Sequence, residues 1–282
     1  MGGYTRVVKP YELAPKKRFG QHFLRDTGVI DRIVRWIEPS GEDVFLEIGA
    51  GDGALSARLA REVAHLIALE VDVDCIPVLK SALGPFHSAS VVAADILRID
   101  LMEVVSLYIR PGQKFHIAGN LPYNIATATI ERLLHLRLPV KDMSFMVQYE
   151  VAQRITAKPG SRQYGYLSVY SQHGADARLG FKVSPACFVP RPAVSSAMIS
   201  LRPKSSPLDS TLEPDFEALA KAAFSHRRKT LENSLGRHPS FGPITRELLH
   251  RACIDGSRRA EELSVQEYER LAQSYHDLTI DE

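Results

Sequence analysis

Between residues 44 and 136 short apolar runs alternate with amphipathic segments, and that alternation leaves few folds open. VFLEI (44–48), HLIALEV (65–71), SVVAAD (90–95) and KFHIAGN (114–120) read as buried strands. ALSARLAREV (54–63), VDCIPVLKSAL (73–83) with Pro77 in its first turn, and IATATIERLLHL (125–136) read as helices. Strands regularly spaced by helices predict an α/β fold with a doubly wound parallel sheet. Such a sheet binds ligands at the carboxyl ends of its strands. Upstream, Asp26 opens a helix with Val29, Ile30, Ile33, Val34 and Ile37 on one face, closing before Pro39. Downstream, MSFMVQY (143–149), YLSVYSQH (166–173) and SSAMISLRP (195–203) are further strand candidates.

At SSPLDSTLEP (205–214) the chain turns polar and proline-rich, the mark of a linker. Beyond it the pattern is helical only. Phe216, Leu219, Ala223 and Phe224 share a face, and Ser264 with Glu267 forms a capping box that Leu263 can staple onto Tyr268. The expected organisation is a basic arm (1–25), a ligand-binding α/β domain (26–204), a linker (205–214) and a small helical domain (215–282). With 45% hydrophobic residues the chain can build a core, and no apolar run approaches the roughly 20 residues of a membrane span. The opening residues have no apolar signal region, and three distant cysteines form neither a disulfide framework nor a zinc motif. A cytoplasmic protein without a metal is expected.

The first strand runs straight into Glu47-Ile48-Gly49-Ala50-Gly51-Asp52-Gly53. Glycines there let the backbone approach a ligand closely, although the pattern suits a dinucleotide, an adenosyl group or a bare turn alike. Glu70 ends the second strand, where an acid accepts hydrogen bonds from a ribose diol. Asp95 ends the third, followed by Ile96 and Leu97, an arrangement matched to the amine and the ring of a purine. The fourth strand ends in Asn120-Leu121-Pro122-Tyr123. An adenine N6 amine is a poor nucleophile because its lone pair is delocalised. The Asn120 side-chain oxygen and the Leu121 carbonyl can take its two hydrogens and localise that pair. Pro122 stiffens the turn and Tyr123 can stack on an extruded base. In isolation the tetrapeptide reads equally as a turn beside a core tyrosine.

The formal net charge of +2 hides a polarity. Residues 1–25 carry +5, residues 221–259 carry +6, and the remainder is −9. Two basic ends on an acidic body suit an anionic polymer held at both, with Lys16, Lys17 and Arg18 at one end and Arg227, Arg228 and Lys229 at the other.

These residues resemble the KsgA-type family of ribosomal RNA adenine N6,N6-dimethyltransferases. The likeness runs through Lys17-Arg18-Phe19-Gly20-Gln21-His22-Phe23-Leu24, the glycine loop, Glu70, Asp95 and Asn120-Leu121-Pro122-Tyr123. It continues through Tyr164 to Val169, Phe188 to Ser196, and Ala223 to Leu235. It implies a Rossmann-like methyltransferase fold with a C-terminal all-helical domain. It also implies S-adenosylmethionine as methyl donor, held by His22, Leu24, Gly49, Gly51, Glu70, Asp95 and Asn120. The implied reaction dimethylates two adjacent adenosines in the 3′-terminal hairpin loop of small-subunit rRNA, with Phe188 stacking on the base opposite Tyr123 and a role in ribosome biogenesis. The expected partner is the small ribosomal subunit or its precursor, bound by a monomer. His22 stands where many members have Asn, Ala50 where many have Pro, and Tyr149 and Ala193 where lysines are common. The rival expectations are an enzyme of the antibiotic-resistance type acting on large-subunit rRNA, an RNA-binding assembly or transcription factor without turnover, and a nicotinamide oxidoreductase.

Overall fold

The computed structural model describes residues 15–16, 19–111, 113–205 and 208–280. In chain order the elements are β1 (Phe23–Leu24), α1 (Thr27–Ile37), β2 (Val44–Ile48), α2 (Ser56–Leu59), β3 (His65–Glu70), α3 (Ile76–Leu83), β4 (Ala89–Ala93), α4 (Leu101–Val105) and β5 (Phe115–Asn120). There follow α5 (Ala126–His135), β6 (Val140–Gln148), α6 (Tyr149–Ile155), α7 (Tyr166–Gly174), β7 (Ala175–Val183), β8 (Phe188–Val189) and β9 (Ser196–Pro203). The chain closes with α8 (Glu213–Phe224), α9 (Leu231–Leu235), α10 (Thr245–Arg251) and α11 (Val265–Ile280). Two compact units emerge: the described residues up to Ala126 with Val183–Ser195, and Thr127–Lys182 with the described residues from Ser196 onward.

In the first unit the strands lie in the order β4-β3-β2-β5, all parallel. Every residue of β2 is buried, as a strand covered on both faces must be. The Asp26 carboxylate caps α1 by accepting the Val29 N–H at 3.0 Å. The helix expected over 54–63 is shorter, because only Ser56–Leu59 is helical. The Glu62 N–H bonds to the Leu59 carbonyl, three residues back, and so tightens the chain out of the helix before β3 begins. β1 pairs antiparallel with β8, setting Phe23 opposite Val189 and Leu24 opposite Phe188.

In the second unit the order is β6-β9-β7, with β6 and β9 antiparallel. YLSVYSQH, expected as a strand, is helix α7. The Ser168 hydroxyl accepts the Gly165 N–H at 3.1 Å at the helix start. Ser168 and Ser171, and Val169 and His173, are buried at helical spacing. Tyr149 opens α6 instead of ending a strand. Glu213 and Pro214, read as the end of a linker, form the first turn of α8, where proline's missing N–H costs nothing. Phe216, Leu219, Tyr268 and Leu271 sit in one buried cluster with Tyr164 and Leu263. Ser264 and Glu267 cap α11 reciprocally, at 2.7 Å and 3.3 Å. His173 is locked between Glu269 at 2.8 Å and Glu213 at 3.1 Å and stacks on Phe216. Burial pushes its pKa down, but the two carboxylates outweigh burial and hold it above the ordinary range. Among the described residues no helix is long and apolar enough to cross a membrane.

Candidate active site

The four parallel strands of the first unit deliver their carboxyl ends to one edge, and each carries a residue singled out above. After β2 the chain passes through Gly49, Gly51 and Gly53 at φ of +71°, +58° and +85°, a region that a side chain resists. The Gly49 and Ala50 N–H groups reach the Leu69 carbonyl at 2.9 and 3.1 Å, folding the loop over β3. Glu70 fixes it there, because one carboxylate oxygen accepts the Gly51 N–H at 2.7 Å. The other accepts the Val71 and Asp72 N–H groups at 2.9 and 2.8 Å. Burial raises the Glu70 pKa, these backbone hydrogen bonds oppose the rise, and Asp72 adds to it.

Two close approaches complete the cradle. A Cβ at Gly51 would lie 3.2 Å from the Phe23 ring, and one at Gly119 would strike the Ile48 carbonyl oxygen at 2.4 Å. Phe23 lies in a block of the family resemblance, but no role for it follows from the sequence, and none follows for Gly119, since both matter through residues distant in the chain. Glu47 does carry one, as a lone charge in an apolar strand. It is 2% exposed, and its Oε2 has no hydrogen-bond partner. Burial pushes its pKa up to about 8. A contact with Ser56 outside normal hydrogen-bond geometry offsets this in part, and the Glu70 and Asp52 charges reinforce it.

At the end of β5 the Asn120 side-chain amide donates to the His22 carbonyl at 3.0 Å. That bond turns its Oδ1 into the free acceptor of the group. His22 in turn contacts the Pro190 carbonyl through Nδ1 at 2.7 Å, and its ring lies 5.2 Å from that of Tyr123. With the β1–β8 register, these contacts gather His22, Leu24, Asn120, Tyr123 and Phe188. Leu121 and Phe188 are buried, and Tyr123 is half-buried. Asp95 lies two residues beyond β4. Its Oδ1 accepts the Leu97 N–H at 2.9 Å, its other oxygen lies 3.7 Å from Arg98, and Ile96 beside it is buried.

The basic residues divide by partner. Lys16 is spent on Asp72 and Asp74, each at 2.5 Å, and Gln21 joins it on Asp72. Lys17 and Arg18 lie outside the described residues. Arg227 donates to the carbonyls of Arg162 and Tyr164, a clamp within the second unit. Arg228 and Lys229 are exposed, and their side chains have no partner among the described residues. Lys182 lies 4.6 Å over the Tyr149 ring, a cation–π contact that brings a positive charge beside it.

The chain matches the family model described as "Ribosomal RNA adenine dimethylase" over residues 13–277. It is 38% identical over 271 residues to the "Ribosomal RNA small subunit methyltransferase A" of Bacillus mycoides, covering 94% of this chain and 93% of that one. The protein of the same name from Bacillus cereus matches equally. Among solved structures, a dimethyladenosine transferase from Plasmodium falciparum shares the fold with a TM-score of 0.76 at 23% identity, covering 91% of this chain and 98% of that one. The 23S rRNA methyltransferase ErmE shares it with a TM-score of 0.67 at 24% identity, covering 90% and 99%. The fold is thus that of the Rossmann-like methyltransferases with a C-terminal helical region.

Proposed function

The chain belongs to the ribosomal RNA adenine dimethylase family, and from that premise we propose how its residues perform adenine N6 dimethylation of small-subunit rRNA. It is a methyltransferase whose family draws the methyl group from S-adenosylmethionine. That donor, when bound, supplies a methyl on a positively charged sulfur. The residues fit such a group: a positive-φ glycine cradle for close backbone approach, Glu70 for the ribose hydroxyls, and Asp95 with buried Ile96 for the adenine amine and ring.

The observation that carries the reading is the Asn120 amide. With its N–H taken by the His22 carbonyl, Oδ1 is presented as an acceptor at the same strand edge as the cradle. Asn120 Oδ1 and the Leu121 carbonyl would accept hydrogen bonds from the N6 hydrogens of the target adenine, two in the first round and one in the second, which favours a localised lone pair on N6. Each transfer would break the methyl–sulfur bond and release one N6 proton. Tyr123 stacks on the extruded base, and Phe188 completes the pocket from the β1–β8 ladder. His22 positions both ends of this assembly through its carbonyl and its ring. Most of the acceleration comes from alignment, since the reaction is one in-line displacement performed twice.

The partner is small-subunit rRNA and the substrate two adjacent adenosines of its 3′-terminal hairpin loop, bound by a monomer whose phosphate contacts begin with Arg228 and Lys229. The test is to incubate the protein with labelled donor and small subunits lacking the modification, then to map methylated adenosines. Dimethylation of that adjacent pair is expected. No labelling of small subunits, with or without labelling of large-subunit rRNA supplied in a parallel incubation, overturns the reading.

A further inference from the structure

We propose that an open polar pocket in the second unit, between α9 and α10, is a binding site for a single rRNA nucleotide. The pocket encloses about 350 Å³, within the ordinary range for small-ligand sites. It is lined by Glu232, Asn233, Arg237 and Arg246 together with Gly236 and Gly242. The two glycines approach closely: a Cβ at Gly242 would lie 2.8 Å from the Gly236 carbonyl oxygen. The His238 carbonyl accepts the Gly242 N–H at 2.8 Å and holds the turn closed.

The polar groups are disposed for a nucleotide more than for a bare anion. Arg237 is exposed and makes no hydrogen bond or ion pair among the described residues. Arg246 is tied through Nε to Glu232 at 2.8 Å, which leaves its terminal nitrogens free to donate. Asn233 donates its amide N–H to Thr230 Oγ1 at 2.7 Å, so its Oδ1 remains as an acceptor. Two guanidinium groups meet a phosphate, while the acceptors Asn233 and Glu232 meet a ribose hydroxyl or an exocyclic amine. The surroundings agree. Residues 225–246 carry five cations against Glu232 alone, and Lys229 directly precedes the Thr230 cap that anchors Asn233. Arg228 and Lys229 thus stand immediately before the helix that supplies Glu232 and Asn233 to the pocket.

The inference rests on the rRNA reading above, and its test keeps the two apart. Binding of the full-length protein to deproteinised small-subunit rRNA is measured from low to moderate salt for wild type, Arg237→Ala, Arg237→Lys, Asn233→Ala and the pair Arg228→Ala with Lys229→Ala. Arg237→Ala is expected to weaken binding about tenfold and to lower the slope of log affinity against log salt by about one unit. Arg237→Lys should keep the slope but recover only part of the affinity, because a point charge replaces a fork. Asn233→Ala should weaken binding about threefold with the slope unchanged. S-adenosylmethionine affinity, measured by calorimetry, should stay at the wild-type value throughout, and an unchanged far-ultraviolet circular dichroism melt should report that the helical unit of each variant is folded. If Arg237→Ala and Asn233→Ala bind like wild type while the Arg228 and Lys229 pair loses affinity, the pocket is no nucleotide site and the rRNA reading stands. If wild type itself shows no salt-dependent affinity for this RNA, the nucleotide-site proposal falls, while the rRNA reading is decided by the labelling of small subunits.

Discussion

Replacing Glu47 by Gln should stabilise the protein, and the gain should grow with pH. The carboxyl lies at the end of the buried β2 strand, beneath the glycine loop, with its Oε2 unpartnered and its pKa pushed up to about 8 from the ordinary 4.5. Folding therefore favours the protonated form. Below the unfolded pKa of 4.5 both states hold the proton and the residue has no pH-dependent cost. As pH rises from there the unfolded chain ionises while the folded chain resists, and stability falls by about 1.4 kcal/mol per pH unit. At pH 7 the accumulated cost is on the order of 3 kcal/mol, and it levels off above the folded pKa of about 8. Glutamine keeps the shape and removes the ionisation, so this cost disappears together with its repulsion of Glu70 and Asp52, while uncoupled groups such as His173 stay as they were. Urea unfolding of wild type and Glu47→Gln at pH 5, 7 and 8.5 measures the difference directly, because contributions common to both proteins cancel. An advantage of under about 1 kcal/mol at pH 5 that widens to a few kcal/mol at pH 7 is expected. A difference that stays constant from pH 5 to pH 8.5 would refute the reasoning, since Glu47 would then ionise alike in both states.

Asn120→Ala should lower methyl transfer roughly a hundredfold in single turnover at saturating RNA, the scale for losing one pre-placed hydrogen bond at a reacting group. Turnover at the wild-type rate would remove Asn120 from the chemistry. Glu70→Gln should weaken S-adenosylmethionine binding by about 1.5–3 kcal/mol in calorimetry, the range for hydrogen bonds to a charged group. Glu70→Ala should do worse, because glutamine keeps one acceptor oxygen whereas alanine leaves the Gly51, Val71 and Asp72 N–H groups all without theirs. Arg228→Ala and Lys229→Ala should each flatten the salt dependence of RNA binding by about one unit. Lys16→Ala should leave that slope unchanged, because Asp72 and Asp74 already hold its charge.

The parallel strands and the residues at their carboxyl ends were legible because buried parallel strands are short apolar runs bounded by turns. Glu70, Asp95 and Asn120 could be placed by counting to the end of each run. What could not be read depends on contacts far apart in the chain. β1 and β8 are two residues each, too short for any periodicity, and they exist because residue 23 meets residue 189. YLSVYSQH is rich in aromatic and β-branched residues and reads as a strand. Burial of residues 168, 169, 171 and 173 on α7 against the second unit overrides that local preference.

Charge was the least legible property, for a physical reason. A run of basic residues states how many cations there are, not what already neutralises them. Lys16 is paired with two carboxylates of the first unit, and Arg227 is committed to two carbonyls that belong to residues more than 60 positions away. Carbonyls leave no trace in composition, so a cation clamped on backbone looks the same in sequence as one facing solvent. Arg228 and Lys229 keep their charge available, and so does Arg237, further along the same basic segment. The surface that can meet phosphate is therefore displaced along the helical unit from where the charge run would put it, from position 227 toward 228, 229 and 237. Substitutions chosen by charge density alone would include the structural cations Lys16 and Arg227 beside the free Arg228 and Lys229, and would pass over Arg237.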